Sequence, residues 1–459
     1  MKAALVLLAL TGATPLTLDE VLDSAERSFP VIAATRADVE AADGEALAAS
    51  GAFDPVWKSR ATAVPVGGYP QGRVDSVVEV PTPLWGTSLF AGYRLGAGKV
   101  QPYYGERETL PGGELRAGLS IPLVRNGPTD RRRTNEAKAA LGRALAGHSV
   151  EQQKLEVRRL ATFRFFEWQA AGARRDVARA LLRLAEERDA QLHARSRAGD
   201  VATLDQRDNA RSLAQRRAQL AQAERALQQA AFELSLYLRD DAGAPTLPPE
   251  TRLGPLPPVP GDEVAAPPSL GHRPDLKRLE SQLGQATLEL ELARNQRLPA
   301  LDLQAVASKD LGGVPRPDLA AAQPAELEFG LTLEVPLRLR APDGRLRASE
   351  AAVRRLELQL QLARERAELE VADARSALKA SEERLRLARE EVSLALEVET
   401  GERTRFELGE SSLLFVNQRE QATAEAKLRE LDAWLDGHRA SASLRAALAA
   451  NLAQPPVRW

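Results

Sequence analysis

Residues 353–395 read VRRLELQLQLARERAELEVADARSALKASEERLRLAREEVSLA. Val353, Leu356, Leu360, Ala363, Ala367, Val371, Ala374, Leu378, Ser381, Leu385, Ala388, Val392 and Ala395 recur at steps of three and four, with one extra step of four. That period is the seam of a coiled coil. The rule returns from Phe163 through Phe166, Ala170, Ala173, Val177 and Ala180 to Leu184, while Leu213, Leu220, Leu227 and Leu234 fall seven apart. Arg131 to Arg197 is 67 residues without a proline, enough for a helix of roughly 100 Å at 1.5 Å per residue. Alanine at many seam positions lets backbones approach closely, and Arg, Glu and Gln fill the other faces.

Two helical hairpins follow from this period, 131–240 with a break at Ala198, Gly199 and Asp200, and 345–450 with a break at Gly409 and Glu410. Each is preceded by a shorter helix. In the first, 16–53, the seam is Ile32, Thr35, Val39, Ala42, Ala46, Ala49 and Phe53, Pro30 imposes a kink or restart, and Pro55 ends it. In the second, 274–297, Pro274 and Pro299 repeat those prolines at an offset of 244, with the seam in the same register. The chain is an internal duplication.

Between each short helix and its hairpin the composition turns to Gly, Val, Pro, Thr and aromatics. Residues 85–94 and 114–121 alternate apolar with mostly polar side chains, as do 301–307, whereas 56–64 and 74–80 are weaker strand candidates and 96–113 reads as loop. The sharpest alternation is Glu326 to Val335. Leu327, Phe329, Leu331, Leu333 and Val335 take one face, and Glu326, Glu328, Gly330, Thr332 and Glu334 the other. That is the length and pattern of a membrane strand with lipid outside and water inside, although the edge of a soluble sheet alternates too. The proline-rich stretch 241–268 is an extended crossover between the halves, and the strand-to-helix passage from Pro122 to Glu136 returns as Pro336 to Glu350.

With 62 basic and 64 acidic residues interleaved along the helices, the chain offers no basic surface for nucleic acid. It has no cysteine, hence no disulfide, thiolate metal site or N-terminal lipidated cysteine. Lys2, an apolar run to Leu10 and small residues to Ala13 fit a signal peptide over 1–13. Beyond it no apolar run is long enough for a membrane helix, so a membrane passage must use strands. His148, His193, His272 and His438 stand apart at no metal-ligand spacing, and there is neither a phosphate-cradling glycine loop nor a nucleophile elbow. No catalytic, cofactor or metal residues are assigned, and an enzyme is not expected.

Leu16-Thr17-Leu18-Asp19-Glu20 through Phe29-Pro30, His272-Arg273-Pro274-Asp275-Leu276, Leu298-Pro299-Ala300-Leu301 and Gly330-Leu331-Thr332-Leu333 leading to Pro336-Leu337 resemble phrases of the TolC-like outer membrane efflux proteins. The turns Arg197-Ala198-Gly199-Asp200 and Phe406-Glu407-Leu408-Gly409-Glu410 resemble that family's periplasmic tips. The resemblance spans about residues 16–450. It implies a helix-dominated membrane α/β channel: a homotrimer with four strands per protomer in a shared 12-stranded barrel, above a long periplasmic tunnel of coiled-coil hairpins. The first repeat would be 14–240, with strands within 56–122, and the second 269–450, with strands within 300–336, leaving 451–459 as a tail. The function implied is a passive exit duct in the outer membrane for a tripartite efflux or type I secretion system, docked to a periplasmic adaptor and an inner-membrane pump or secretion ATPase. The alternatives are a periplasmic adaptor, which normally carries one hairpin, and a structural coiled coil.

The resemblance also points to entrance residues. Asp205 occupies the position of an aspartate in the family's constriction network, and Phe406 replaces its tyrosine partner. Ser411 stands where the network has an arginine, and Phe415 and Gln418 replace two selectivity aspartates. The latch of the second hairpin is thus missing, and closure must use other contacts. Asp200, Asp205 and Glu410 are expected to keep the entrance acidic, since threefold symmetry makes each lumenal carboxylate a ring of three; as helix caps, Asp200 and Glu410 would serve structure alone.

Overall fold

The computed structural model describes residues 14–67, 70–98, 109–197, 203–261, 270–312 and 325–449. The proposed signal peptide, Gly199, Asp200 and the tail lie outside the described residues. The contacts divide the chain into two compact units.

One unit comprises the segment up to Arg36, Ser149–Leu276 and the chain from Ala363 onward. It begins with α1, Leu18–Ser28, whose first turn is capped by the Thr17 hydroxyl accepting from the Glu20 N–H at 3.3 Å. Pro30 then opens α2, Pro30–Ser50, so the restart foreseen at this proline occurs at the first helical position, where a missing N–H costs nothing. The long helix α3, Arg131–Arg197, is followed by α4, Thr203–Ser235. Another long helix, α6, Arg340–Glu407, turns at Gly409 into α7, Leu413–Ala447; α5, between them in sequence, spans Pro274–Asn295. Helix α6 starts five residues earlier than the periodicity suggests, with Pro342 in its first turn, where a proline is tolerated.

Seam side chains Phe166, Leu227, Leu234 and Leu385 form this unit's core together with residues off the seams as first read. Val21, Leu22, Val157, Ala161, Phe165, Phe166, Trp168, Leu227, Leu234, Leu385 and Trp434 are buried together. Part of the proline-rich crossover lies against them: Leu253 and Val259 pack on the cluster, and the Trp434 indole N–H donates to the Pro257 carbonyl at 2.8 Å. Arg273, just before α5, donates to the Ala447 carbonyl at 2.8 Å and pairs with Asp275 and Glu370. The repeat anchor before Pro274 therefore ties the start of α5 to the end of α7.

The other unit, Ala37–His148 and Lys277–Leu362, holds a six-stranded antiparallel sheet. Its strands are β1 Val56–Val64, β2 Gln71–Pro81, β3 Ser88–Gly98, β4 Glu114–Pro122, β5 Ala300–Asp310 and β6 Glu326–Glu334, hydrogen-bonded in that order. Pro55 and Pro299 immediately precede β1 and β5, which places these strands at equivalent points of the repeat. Asp130 caps α3 by accepting the Arg133 N–H at 2.9 Å, and Asn126, at φ 67°, donates its N–H to the Asn295 side chain at 2.8 Å.

Among the described residues six strands replace the four expected per protomer, while the helix-dominated α/β fold stands. The weak candidates at 56–64 and 74–80 are full members of the sheet. Their alternation is diluted because Ser59, Ala61, Ala63 and Ser76 share the apolar face and Val77 lies on the polar one. The presumed loop 96–113 also begins later, since β3 continues to Gly98.

Candidate functional site

Two regions carry the polar chemistry. In the sheet, one row of paired residues runs Trp57, Val78, Ala91, Ala117, Ala307, Leu327 across all six strands. Val80, Leu89, Leu119, Ala305 and Phe329 form another row on that face. The opposite face carries Arg60, Asp75, Arg94, Glu114 and Asp310 in one row. Arg94 bridges Asp75 at 2.9 Å and Glu114 at 3.4 Å, and Lys58 pairs with Glu79. The lumen candidates Glu326, Glu328, Thr332 and Glu334 fall on this charged face, and Glu334 pairs with Arg125 at 3.2 Å. On the apolar face the Trp57 indole donates to the Ser76 hydroxyl at 2.7 Å, so its polar atom is satisfied within the sheet. The sheet thus has one face suited to hydrocarbon and one to water.

The hairpin turns are the other region. Gly409 adopts φ 80°, which favours glycine, and its N–H and that of Glu410 close on the Phe406 and Arg405 carbonyls at 3.0 and 2.8 Å. Phe406 is half-buried, and Glu410, Phe415 and Gln418 are exposed. The Ser411 hydroxyl donates to Glu402. Ser412, rather than Glu410, is the N-cap residue of α7, so capping does not explain this glutamate. Asp205 lies in the first turn of α4.

Sequence reasoning missed a charge cluster farther along these helices. The Glu420 carboxylate on α7 has no solvent exposure. It accepts from Arg188 on α3, from Arg216 on α4 at 3.1 Å and from Arg403 on α6 at 3.3 Å. Arg216 also donates to the Leu181 carbonyl at 3.0 Å, and Asn417 accepts from Arg188 and Arg216. Burial pulls the Arg216 pKa below its ordinary value, against the stabilising charge of Glu420. One carboxylate therefore holds an arginine from each of three other helices, tying the two hairpins together. A signal was available in the period: Ala185, Arg188, Leu192 and Leu213, Arg216, Leu220 put both arginines on seam steps, and Val416, Glu420, Thr423 do the same for the glutamate. Charged residues on a seam mark a buried ionic contact.

Elsewhere in the helical unit, His438 stacks on Phe166 with ring centres 3.7 Å apart, and burial lowers its pKa to about 4. It is a core imidazole.

Residues 267–450 match the outer membrane efflux protein family. Among solved structures, it is similar to a membrane protein from Pseudomonas aeruginosa at 18% identity and TM-score 0.69, covering 94% of this chain and 93% of that one. The Campylobacter jejuni outer membrane channel CmeC matches at 13% identity and TM-score 0.67, with 94% and 85% covered. The open state of the Neisseria gonorrhoeae MtrE channel matches at 17% identity and TM-score 0.64, with 94% and 88% covered. No curated protein sequence matches the chain. These likenesses, over nearly the whole chain, are of fold.

Proposed function

We propose that three copies of this chain form a passive exit duct in the outer membrane, serving a tripartite efflux or type I secretion assembly. The observation that carries this is the sheet: an apolar face continuous over six strands, backed by a charged one, with both outer strands lacking a neighbour among the described residues. A lone sheet of this kind cannot stand in lipid with open edges, so copies must join to close a barrel. The hairpins would form the periplasmic tunnel, and their turns would meet an adaptor and an inner-membrane pump or secretion ATPase, which supplies the energy. The chain's cargo is whatever the pump delivers.

Asp200, Asp205 and Glu410 would line the entrance as acidic rings, and the Glu420 cluster would hold the paired hairpins behind it. Mass and shape of the detergent-extracted protein test the duct: trimers that require detergent support it, and a freely soluble monomer overturns it. Single-channel recording of Asp205→Asn tests the acidic ring, with a lowered cation preference expected and an unchanged one overturning it.

A further inference from the structure

The two repeats differ in length in their strand regions. The proline offset is 244 ahead of the strands and 214 after them, so the first half carries 30 extra residues in its strand region. Those residues correspond to a whole hairpin. The second half goes from β5 directly to β6, whereas the first inserts β2 and β3 between the equivalents β1 and β4.

The inserted hairpin is part of the wall. All nine residues of β1 pair with β2, and eleven residues of β2 pair with β3. The apolar row continues through Trp57 and Val78, and the charged row through Arg60 and Asp75. With β2 on one side of β3 and β4 on the other, β3 has no free edge, and the open edges of the sheet are β1 and β6. Both are exposed along nearly their whole length.

We propose that β6 of one copy pairs antiparallel with β1 of the next, closing a barrel of eighteen strands, six from each of three copies. Charge favours this closure. On the water-facing side β6 presents Glu326, Glu328 and Glu334, and β1 presents Lys58 and Arg60. Antiparallel pairing of β6 with β1 sets the Glu334 end of β6 beside the Lys58 and Arg60 end of β1, which joins opposite signs, whereas β1 beside another β1 would oppose cations. Because side chains alternate, the closing register can shift only in steps of two if the faces are to match.

At about 4.8 Å between strands and a tilt of about 40°, eighteen strands give a backbone diameter of about 36 Å, against about 24 Å for twelve. The cross-section more than doubles. A barrel of this strand number is of porin size and holds an aqueous channel.

This inference rests on the trimeric duct reading, and the test separates the two. Strands are counted by electron cryomicroscopy of the detergent-extracted protein. In parallel, because the chain has no cysteine, Thr62→Cys in β1 is combined in turn with Glu328→Cys, Gly330→Cys and Thr332→Cys in β6, and with Phe90→Cys in β3 combined with each β6 variant as the competing closure. Expected are a trimer with eighteen strands and a disulfide ladder up to three chains in a β1–β6 pair. A trimer with twelve strands, or cross-links from β6 to β3, overturns the eighteen-stranded closure and leaves the duct standing. A soluble monomer overturns both.

Discussion

The sheet and the helical hairpins carry their charge in opposite ways. In the sheet, Asp75, Arg94 and Glu114 pair along one open face, each side chain about one-fifth exposed. Among the hairpins, Glu420 is wholly enclosed and holds three arginines. Water can solvate the first set if a pair breaks. It cannot reach the second without separating helices, so enclosure rather than the number of pairs decides what each network contributes.

The strongest way to break this contrast is Glu420→Ala. It leaves Arg188 and Arg216 buried without their carboxylate, and a loss of about 3–5 kcal/mol is expected, read as a fall in the melting temperature of the extracted protein by circular dichroism. A loss no larger than that of an exposed pair would refute the enclosure argument. On the sheet, Phe329→Arg sits in the middle of β6 on the apolar face. Its cost should be about 2–4 kcal/mol at the bilayer midplane, seen as reduced recovery in the membrane fraction. A substitution on the charged face such as Thr332→Arg should leave recovery unchanged and, if that face lines the duct proposed above, alter ion selectivity instead.

The helical core also contains a pH probe. His438 has its pKa lowered to about 4 by burial, so the unfolded chain binds a proton more readily than the folded one below the ordinary value of 6.5. Its stabilising contribution is complete above about pH 6.5 and is lost as pH falls toward 4, by roughly 3 kcal/mol in total. His438→Phe should flatten that part of the stability–pH curve, and an unchanged slope would assign it to other groups.

Smaller still is Asp75→Asn, which removes one acceptor from Arg73 and Arg94 on the water-facing side and should cost about 1 kcal/mol. Glu391→Gln breaks only the exposed pair with Arg429 and should leave the melting temperature unchanged within error. A clear shift there would mean that surface pairs are cooperating along the helix.

How much could be read beforehand varied with the locality of the signal. The seam of α6 runs for twelve steps, and a period sustained that long leaves helix as the one compatible structure. The break at Gly409 and the restart at Pro30 were equally local, because each depends on what one residue's backbone can do. Strand β6 was plain from strict alternation. In β1 and β2 small and ambiguous side chains weaken the pattern, and their membership depends on hydrogen bonds to β3, which local alternation does not encode. The entrance residues taken from resemblance were placed only in part, and none explains how the hairpins are held.

By itself the sequence determined the duplication, the long helices, the polarity of the strand faces and the absence of cysteine chemistry, because these follow from period, composition and spacing along the chain. Only the tertiary structure decided that six strands form one sheet and that Glu420 gathers Arg188, Arg216 and Arg403. The partners of that glutamate lie up to 232 residues away along the chain. In a sequence crowded with both charges, the physical choice among them is made by burial, which exists only once the helices have packed.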